Sequence, residues 1–210
     1  MTQFSGSDLG ALRQRLLMKR QQQSRMDTNR GALLIRGRLF TWLATTRTRL
    51  QEANRPVPKH IAAYWALDQE PDLLPLLYQL ADEEGFEVSL PCVVATDTPL
   101  VFRPWHEDMP MKTGAFGIQE PDTEQVAPNP DVVLVPTLGF TREGDRLGYG
   151  KGFYDRTLGQ LHEQAHPFTT IGIAWAVGDL SDTDYHCQHH DVPLDGILTD
   201  KGWPKAAPVL

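Results

Sequence analysis

Apolar residues in the first fifty positions recur every three or four residues, whereas beyond residue 58 they gather into short, nearly continuous runs. In SDLGALRQRLLMKRQ, Leu9, Leu12 and Leu16 keep helical spacing behind the cap-type residues Ser7 and Asp8, which predicts an amphipathic helix with a basic polar face. Asp27 and Thr28 offer a second cap before a longer helix carried by Leu33, Leu34, Leu39, Leu43 and Leu50, and Pro56 and Pro58 end it. The later runs HIAAYWAL (60–67), EVSLPCVV (87–94), PLVFRPW (99–105) and TTIGIAWAV (169–177) read as strands, and DLLPLLYQLADEEG (72–85) as a helix closed by Gly85. DVVLVP (131–136) is strongly β-branched and the best candidate for a central parallel strand. A helix is expected from about Phe153 to Ala165, and a last short strand in GILT (196–199).

Strands alternating with helical patterns predict an α/β fold: a three-layer sandwich with a mostly parallel central sheet, preceded by two N-terminal helices, in one domain over residues 1–210. Residues 106–130, rich in Pro, Gly and acids, form a long connection of the kind that covers a site.

With 40% hydrophobic and 22% charged residues the composition is that of an ordinary globular protein. Only Cys92 and Cys187 occur, no apolar run follows Met1, and no run approaches the ~20 residues that span a bilayer, so a reducing cytoplasm is the expected location. The net charge of −7 divides unevenly: residues 1–55 hold eleven Lys or Arg against three acids, +8, which leaves −15 for the rest. A basic segment on an acidic body could attract ATP, a polycarboxylate or nucleic acid, although a solvated helix face is the commoner origin of such a pattern.

The stretch GDRLGYGKGFYDR, Gly144 to Arg156, has four glycines in nine positions between the central strand and a helix. It fits neither nucleotide-binding template. A Walker A loop ending in Gly150-Lys151 would start at Asp145 and end at Gly152, and a dinucleotide fingerprint would need glycine at Phe153 or Asp155. Bare backbone still allows N–H groups to approach an anion, a following helix N-terminus adds partial positive charge, and Arg146 and Lys151 add cations. Asp155 could cap that helix or hold Mg²⁺ beside a phosphate chain.

The longer stretch DVVLVPTLGFTREGDRLGYGKGFYDRTL resembles the signature of the 5-formyltetrahydrofolate cyclo-ligases, or methenyltetrahydrofolate synthetases, with its run Gly-x-Arg-Leu-Gly-x-Gly-x-Gly-x-Tyr-Asp-Arg. LRQRLLMKR, IAAYWALDQEPD, VSLPCV, GIQEP and HHDVPLDGILT follow in the family's order, so the resemblance spans about residues 9–203. It implies an ATP- and Mg²⁺-dependent enzyme that converts 5-formyltetrahydrofolate to 5,10-methenyltetrahydrofolate, acting on small molecules as a monomer without nucleic acid or membrane. A non-catalytic nucleotide- or folate-binding regulator is the alternative.

The same resemblance implies roles for particular residues. Arg146, Leu147, Gly148, Tyr149, Gly150, Lys151, Gly152, Phe153 and Tyr154, with Arg13, would bind ATP; Arg146 and Lys151 would act on the transferring phosphoryl. Trp65, Glu70 and the stretch Tyr149 to Phe153 would bind the folate, with Glu70 accepting from the amino-pyrimidinone edge. Asp155 and Asp191 would bind the metal. In DYHCQHHD (184–191), the residues His186, Cys187, His189 and His190 fit no standard zinc spacing, and an oxygen-seeking Mg²⁺ at Asp191 is the better reading. Thr141 stands where the family carries Asp, Gly178 or Leu180 where it carries Gln, and Asp8, Leu9 and Gly10 where it places Lys. Replacing Asp155 by Asn is expected to spare the fold.

Overall fold

A computed structural model describes residues 6–164, 166–187 and 191–210. Helix α1, Gly6–Gln21, buries Leu9, Leu12 and Leu16 against Leu138, Leu147, Leu180 and Tyr185. Helix α2, Arg25–Glu52, begins earlier than Asp27 because Ser24 is its cap, with Ser24 Oγ accepting from the Asp27 amide at 3.1 Å. Its buried stripe runs through Ile35, Leu39, Trp42, Leu43 and Leu50, and Leu33 and Leu34 lie off that stripe, 62% and 39% exposed.

The remaining elements alternate as expected: β1 His60–Ala62, α3 Leu74–Asp82, β2 Glu87–Cys92, β3 Val101–Trp105, β4 Met111–Thr113, β5 Gln119–Pro121, β6 Val132–Pro136, β7 Gly139–Phe140, β8 Arg146–Leu147, α4 Phe153–Glu163, β9 Thr169–Ala174, β10 Gly196–Thr199 and β11 Gly202–Lys205. The main sheet has the order β11-β10-β9-β6-β1-β2-β3. Its five inner strands are mutually parallel, and β3 and β11 pair antiparallel at the two edges. DVVLVP supplies the middle strand. Val132 and Leu134 of β6 face the layer holding α2 and α3, while Val133 and Val135 face Leu158 and Leu161 of α4. This alternation makes the three layers.

Several elements differ from expectation. The first strand stops at Ala62 rather than residue 67, because the chain then leaves the sheet and Tyr64 donates its hydroxyl to the Pro71 carbonyl at 2.7 Å. The long connection contains the β4–β5 hairpin. The edge strand β11 carries Pro204, a residue that a strand tolerates only where no neighbour needs its N–H, and its sequence GWPK is correspondingly weak as a strand signal.

The connection after β1 leads through α3 to β2 on one side, and that after β6 through α4 to β9 on the other. Chain direction therefore switches between β1 and β6, and the crevice outside their carboxyl ends is where such sheets bind ligands.

Candidate active site

A cavity of about 780 Å³ opens at that switch point, within the size range of small-molecule sites. It gathers Arg13, Trp65, Glu70, the whole run Arg146 to Asp155, and Asp191 onto one wall system. Each side chain arrives by a traceable route. Glu70 follows Gln69, which adopts a left-handed φ of 68°, and the Gln69 carbonyl is held by the Trp175 indole N–H at 2.7 Å. Oε2 of Glu70 accepts from the Leu67 amide at 2.9 Å, closing a tight turn that aims the carboxylate into the cavity. Glu70 is 8% exposed, and burial raises its pKa above the ordinary carboxylate value, partly opposed by hydrogen bonds from Tyr149 and Leu67 and by the charge of Arg20.

Arginine side chains lie against the bare backbone of the glycine loop. A Cβ at Gly148 would meet the Arg146 guanidinium, one at Gly150 would approach Arg13 within 3.1 Å, and one at Gly152 would meet Arg156 at 2.8 Å. Gly150 and Gly152 also take positive φ, 88° and 66°, which side chains resist. Arg13 crosses from α1 and donates from Nε to the Gly148 carbonyl at 2.9 Å. Gly152 caps α4 with no side-chain hydrogen bond, and the acid of the helix's first turn, Asp155, is engaged by Arg146.

Arg146, 8% exposed, donates from Nη2 to Asp155 Oδ1 at 2.7 Å and lies over the Tyr154 ring at 5.9 Å. Lys151 is exposed at the mouth, its ammonium 5.7 Å from the Phe116 ring. Phe116 belongs to the β4–β5 hairpin and meets Phe153 edge-on, so the connection roofs the loop. Asp155 and Asp191 line the same cavity. Among the described residues no group of three His, Cys, Asp or Glu assembles. Carboxylate oxygens are the donors a hard ion such as Mg²⁺ takes, one or two at a time with water completing its shell, and Asp155, engaged by Arg146, and Asp191 bring such donors to this cavity.

His189 and His190 lie outside the described residues. Cys187 donates toward Asp145, and burial together with that carboxylate pushes its thiol up to about 12, so it stays protonated rather than acting as a thiolate. Thr141 is buried, and its Oγ1 accepts from the Asp145 amide at 3.2 Å. At Gly178 a side chain would strike the Leu138 carbonyl, and Leu180 is buried against α1, so neither position offers a polar group to the cavity.

Two contributors escaped the sequence reading. Arg20 is 3% exposed, and its signal was its spacing, one helical step beyond Leu16 on the buried stripe. Glu120, from GIQEP, is 5% exposed, lines the cavity and accepts from the Val93 amide at 3.0 Å. Its carboxylate rests on Gly114, where any Cβ would collide with it.

The sequence profile of the 5-formyltetrahydrofolate cyclo-ligase family matches residues 6–200. The 5-formyltetrahydrofolate cyclo-ligase of Haemophilus influenzae is 34% identical over 145 residues, which is 67% of this chain and 75% of that one. The Mycoplasma pneumoniae enzyme of that name is 29% identical over 194 residues, 92% of this chain and 99% of its own. The solved structure of a 5,10-methenyltetrahydrofolate synthetase from Mycoplasma pneumoniae superposes with a TM-score of 0.67 at 26% identity, covering 92% of this chain and 99% of that one. The Aquifex aeolicus 5,10-methenyltetrahydrofolate synthetase has the same fold, with a TM-score of 0.69 at 24% identity over 96% of this chain and 95% of its own.

Proposed function

The chain belongs to the 5-formyltetrahydrofolate cyclo-ligase family, and on that footing we propose that it closes 5-formyltetrahydrofolate to 5,10-methenyltetrahydrofolate by spending ATP on the formyl oxygen. A formamide oxygen is a poor leaving group. Its attack on the γ-phosphorus, with cleavage of the bond to ADP, makes it a phosphate ester of the imidate. The N10 lone pair then adds to the formyl carbon, the carbon–oxygen bond breaks as N5 donates its electrons, and the N10 proton passes to the departing phosphate.

Such a phosphoryl transfer asks the protein mainly for position and charge. Backbone N–H groups of the glycine loop and the α4 N-terminus would hold the phosphates, with Arg13 and Arg146 beside them and Lys151 at the mouth. Glu70, which lines the cavity with Trp65, would accept from the amino-pyrimidinone edge of the folate. Asp155 and Asp191 would hold Mg²⁺, which when bound neutralises phosphate charge. The observation that carries this reading is one cavity holding both a cation-flanked bare loop and a buried carboxylate acceptor.

The test is direct. Purified protein incubated with 5-formyltetrahydrofolate, ATP and Mg²⁺ is expected to generate the methenyl chromophore, with one ADP released per product. Folate binding without ATP-dependent product would make the chain a non-catalytic binder.

A further inference from the structure

Arg20 has a setting that a structural tie alone does not explain. Its Nη2 donates to the Thr137 carbonyl just beyond β6 at 2.5 Å, its Nη1 donates to the Tyr149 hydroxyl at 2.9 Å, and its Nε is buried with no partner among the described residues. Joining α1 to the end of β6 would need only a neutral donor, whereas a buried guanidinium costs free energy unless a negative charge compensates it. Neither hydrogen bond of Arg20 reaches a carboxylate. The charge is met through one intervening atom: the Tyr149 hydroxyl, which accepts from Arg20, donates to Glu70 Oε1 at 2.6 Å. Three segments distant in sequence thus converge on one chain of hydrogen bonds.

We propose that Arg20 is a positioning residue for the folate substrate: through the Tyr149 hydroxyl it fixes the plane of the Glu70 carboxylate and supplies its counter-charge. This rests on the reading of Glu70 as the acceptor for the amino-pyrimidinone edge. An ionised carboxylate has about four acceptor sites. Tyr149 occupies one on Oε1 and the Leu67 amide one on Oε2. One site on each oxygen remains, the number that a ring N–H and an adjacent amino group require. Without Arg20 the Tyr149 hydroxyl loses the donor that fixes where its own proton points, and the carboxylate loses its counter-charge.

The ionisation of Glu70 follows the same arrangement. The groups facing it are Tyr149 and Arg20 along the chain of bonds, with the buried phenols Tyr64 and Tyr154, both held neutral by burial, and Arg146 against Tyr154. Of these, Arg20 is the cation acting to keep Glu70 charged against burial. A protonated Glu70 would point a donor at an edge that offers donors, so folate binding is expected to fall as pH drops through its titration. Removing Arg20 should move that fall to higher pH.

The experiment measures KM for 5-formyltetrahydrofolate and for ATP, across acidic to neutral pH, in Arg20→Met, Arg20→Lys, Tyr149→Phe, Glu70→Gln and the Arg20→Met/Glu70→Gln double variant. Arg20→Met is expected to raise the folate KM about tenfold, the weight of roughly one charged hydrogen bond, to change the ATP KM by less than about twofold, and to shift the acid limb upward. Arg20→Lys should recover most of the loss, and the double variant should be no worse than Glu70→Gln alone. If Glu70→Gln impairs folate binding while Arg20→Met leaves the folate KM and its acid limb unchanged, the positioning role is overturned and the Glu70 reading stands. Should Glu70→Gln leave the folate KM unchanged, the Glu70 reading falls and takes the proposal with it. Should Arg20→Met not fold, Tyr149→Phe cuts the same link at one oxygen, and an unshifted acid limb there overturns the proposal.

Discussion

Arg146 and Asp155 form the tightest charged contact of the site, with side chains only 7% and 16% exposed. That pair revises what the sequence suggested for Asp155→Asn. Removing one charge from a buried pair leaves the other uncompensated, which costs on the order of 3 kcal/mol. The variant is therefore expected both to lose turnover and to unfold at a clearly lower urea concentration. An unchanged midpoint would show that solvent already screens Arg146. The glycines teach a related lesson at the same scale. Gly148, Gly150 and Gly152 were legible as backbone meant for close approach, but the nearest neighbours are arginine side chains, and no local pattern told which arginines would arrive.

Among the elements, α1 matters most to the site because it carries Arg13 to the cavity wall and Arg20 to the hydroxyl of Tyr149, which lines that wall. Its hold on the body is the stripe Leu9, Leu12 and Leu16 against Leu138, Leu147, Leu180 and Tyr185. Leu16 is 2% exposed, so Leu16→Ala is expected to cost about 2–5 kcal/mol. Because the two arginines ride on this helix, KM for both substrates should rise in the same variant; loss of stability with both KM values intact would separate α1 from the site. The helix was readable from its leucine spacing. The β4–β5 hairpin was not, since its strands are three residues each and hold together by pairing with one another rather than by a local apolar pattern.

At the scale of the molecule, five arginines of the basic first quarter are tied to the rest of the chain, and Arg47 also pairs with Glu84 at 3.5 Å. Arg36, Arg38, Arg47, Arg49 and Arg55 donate to the carbonyls of Asp72, Asp200, Glu84 and Leu210, so much of the basic first quarter binds the body of its own chain. No helix among the described residues is long and apolar enough to cross a membrane. The interior also sets a pH dependence. His60, 3% exposed with its Nε2 2.8 Å from Ser89 Oγ, has its pKa lowered by burial, an effect that the Asn129 backbone, Glu87 and Asp131 only partly offset. The unfolded chain therefore takes up that proton more readily, and stability is full above the ordinary histidine value of about 6.5 and is lost as pH falls below it. His60→Gln should flatten this acid-side slope in denaturation measured across pH, and an unchanged slope would assign it to other groups. Glu70, raised by burial, acts with the opposite sign: it favours the folded state at low pH, and that contribution is lost as pH rises through its titration.

The order of elements, the middle position of DVVLVP in the sheet and the bareness of the loop were all determined by the chain alone, because periodicity, β-branching and missing side chains are local properties that folding preserves. Tertiary structure decided which of eleven basic residues in the first quarter face the cavity, and that one carboxylate past the first strand shares a hydroxyl with a helix far away in sequence. Those outcomes depend on where acceptors from other segments come to lie, and a one-dimensional pattern does not contain the distances between them.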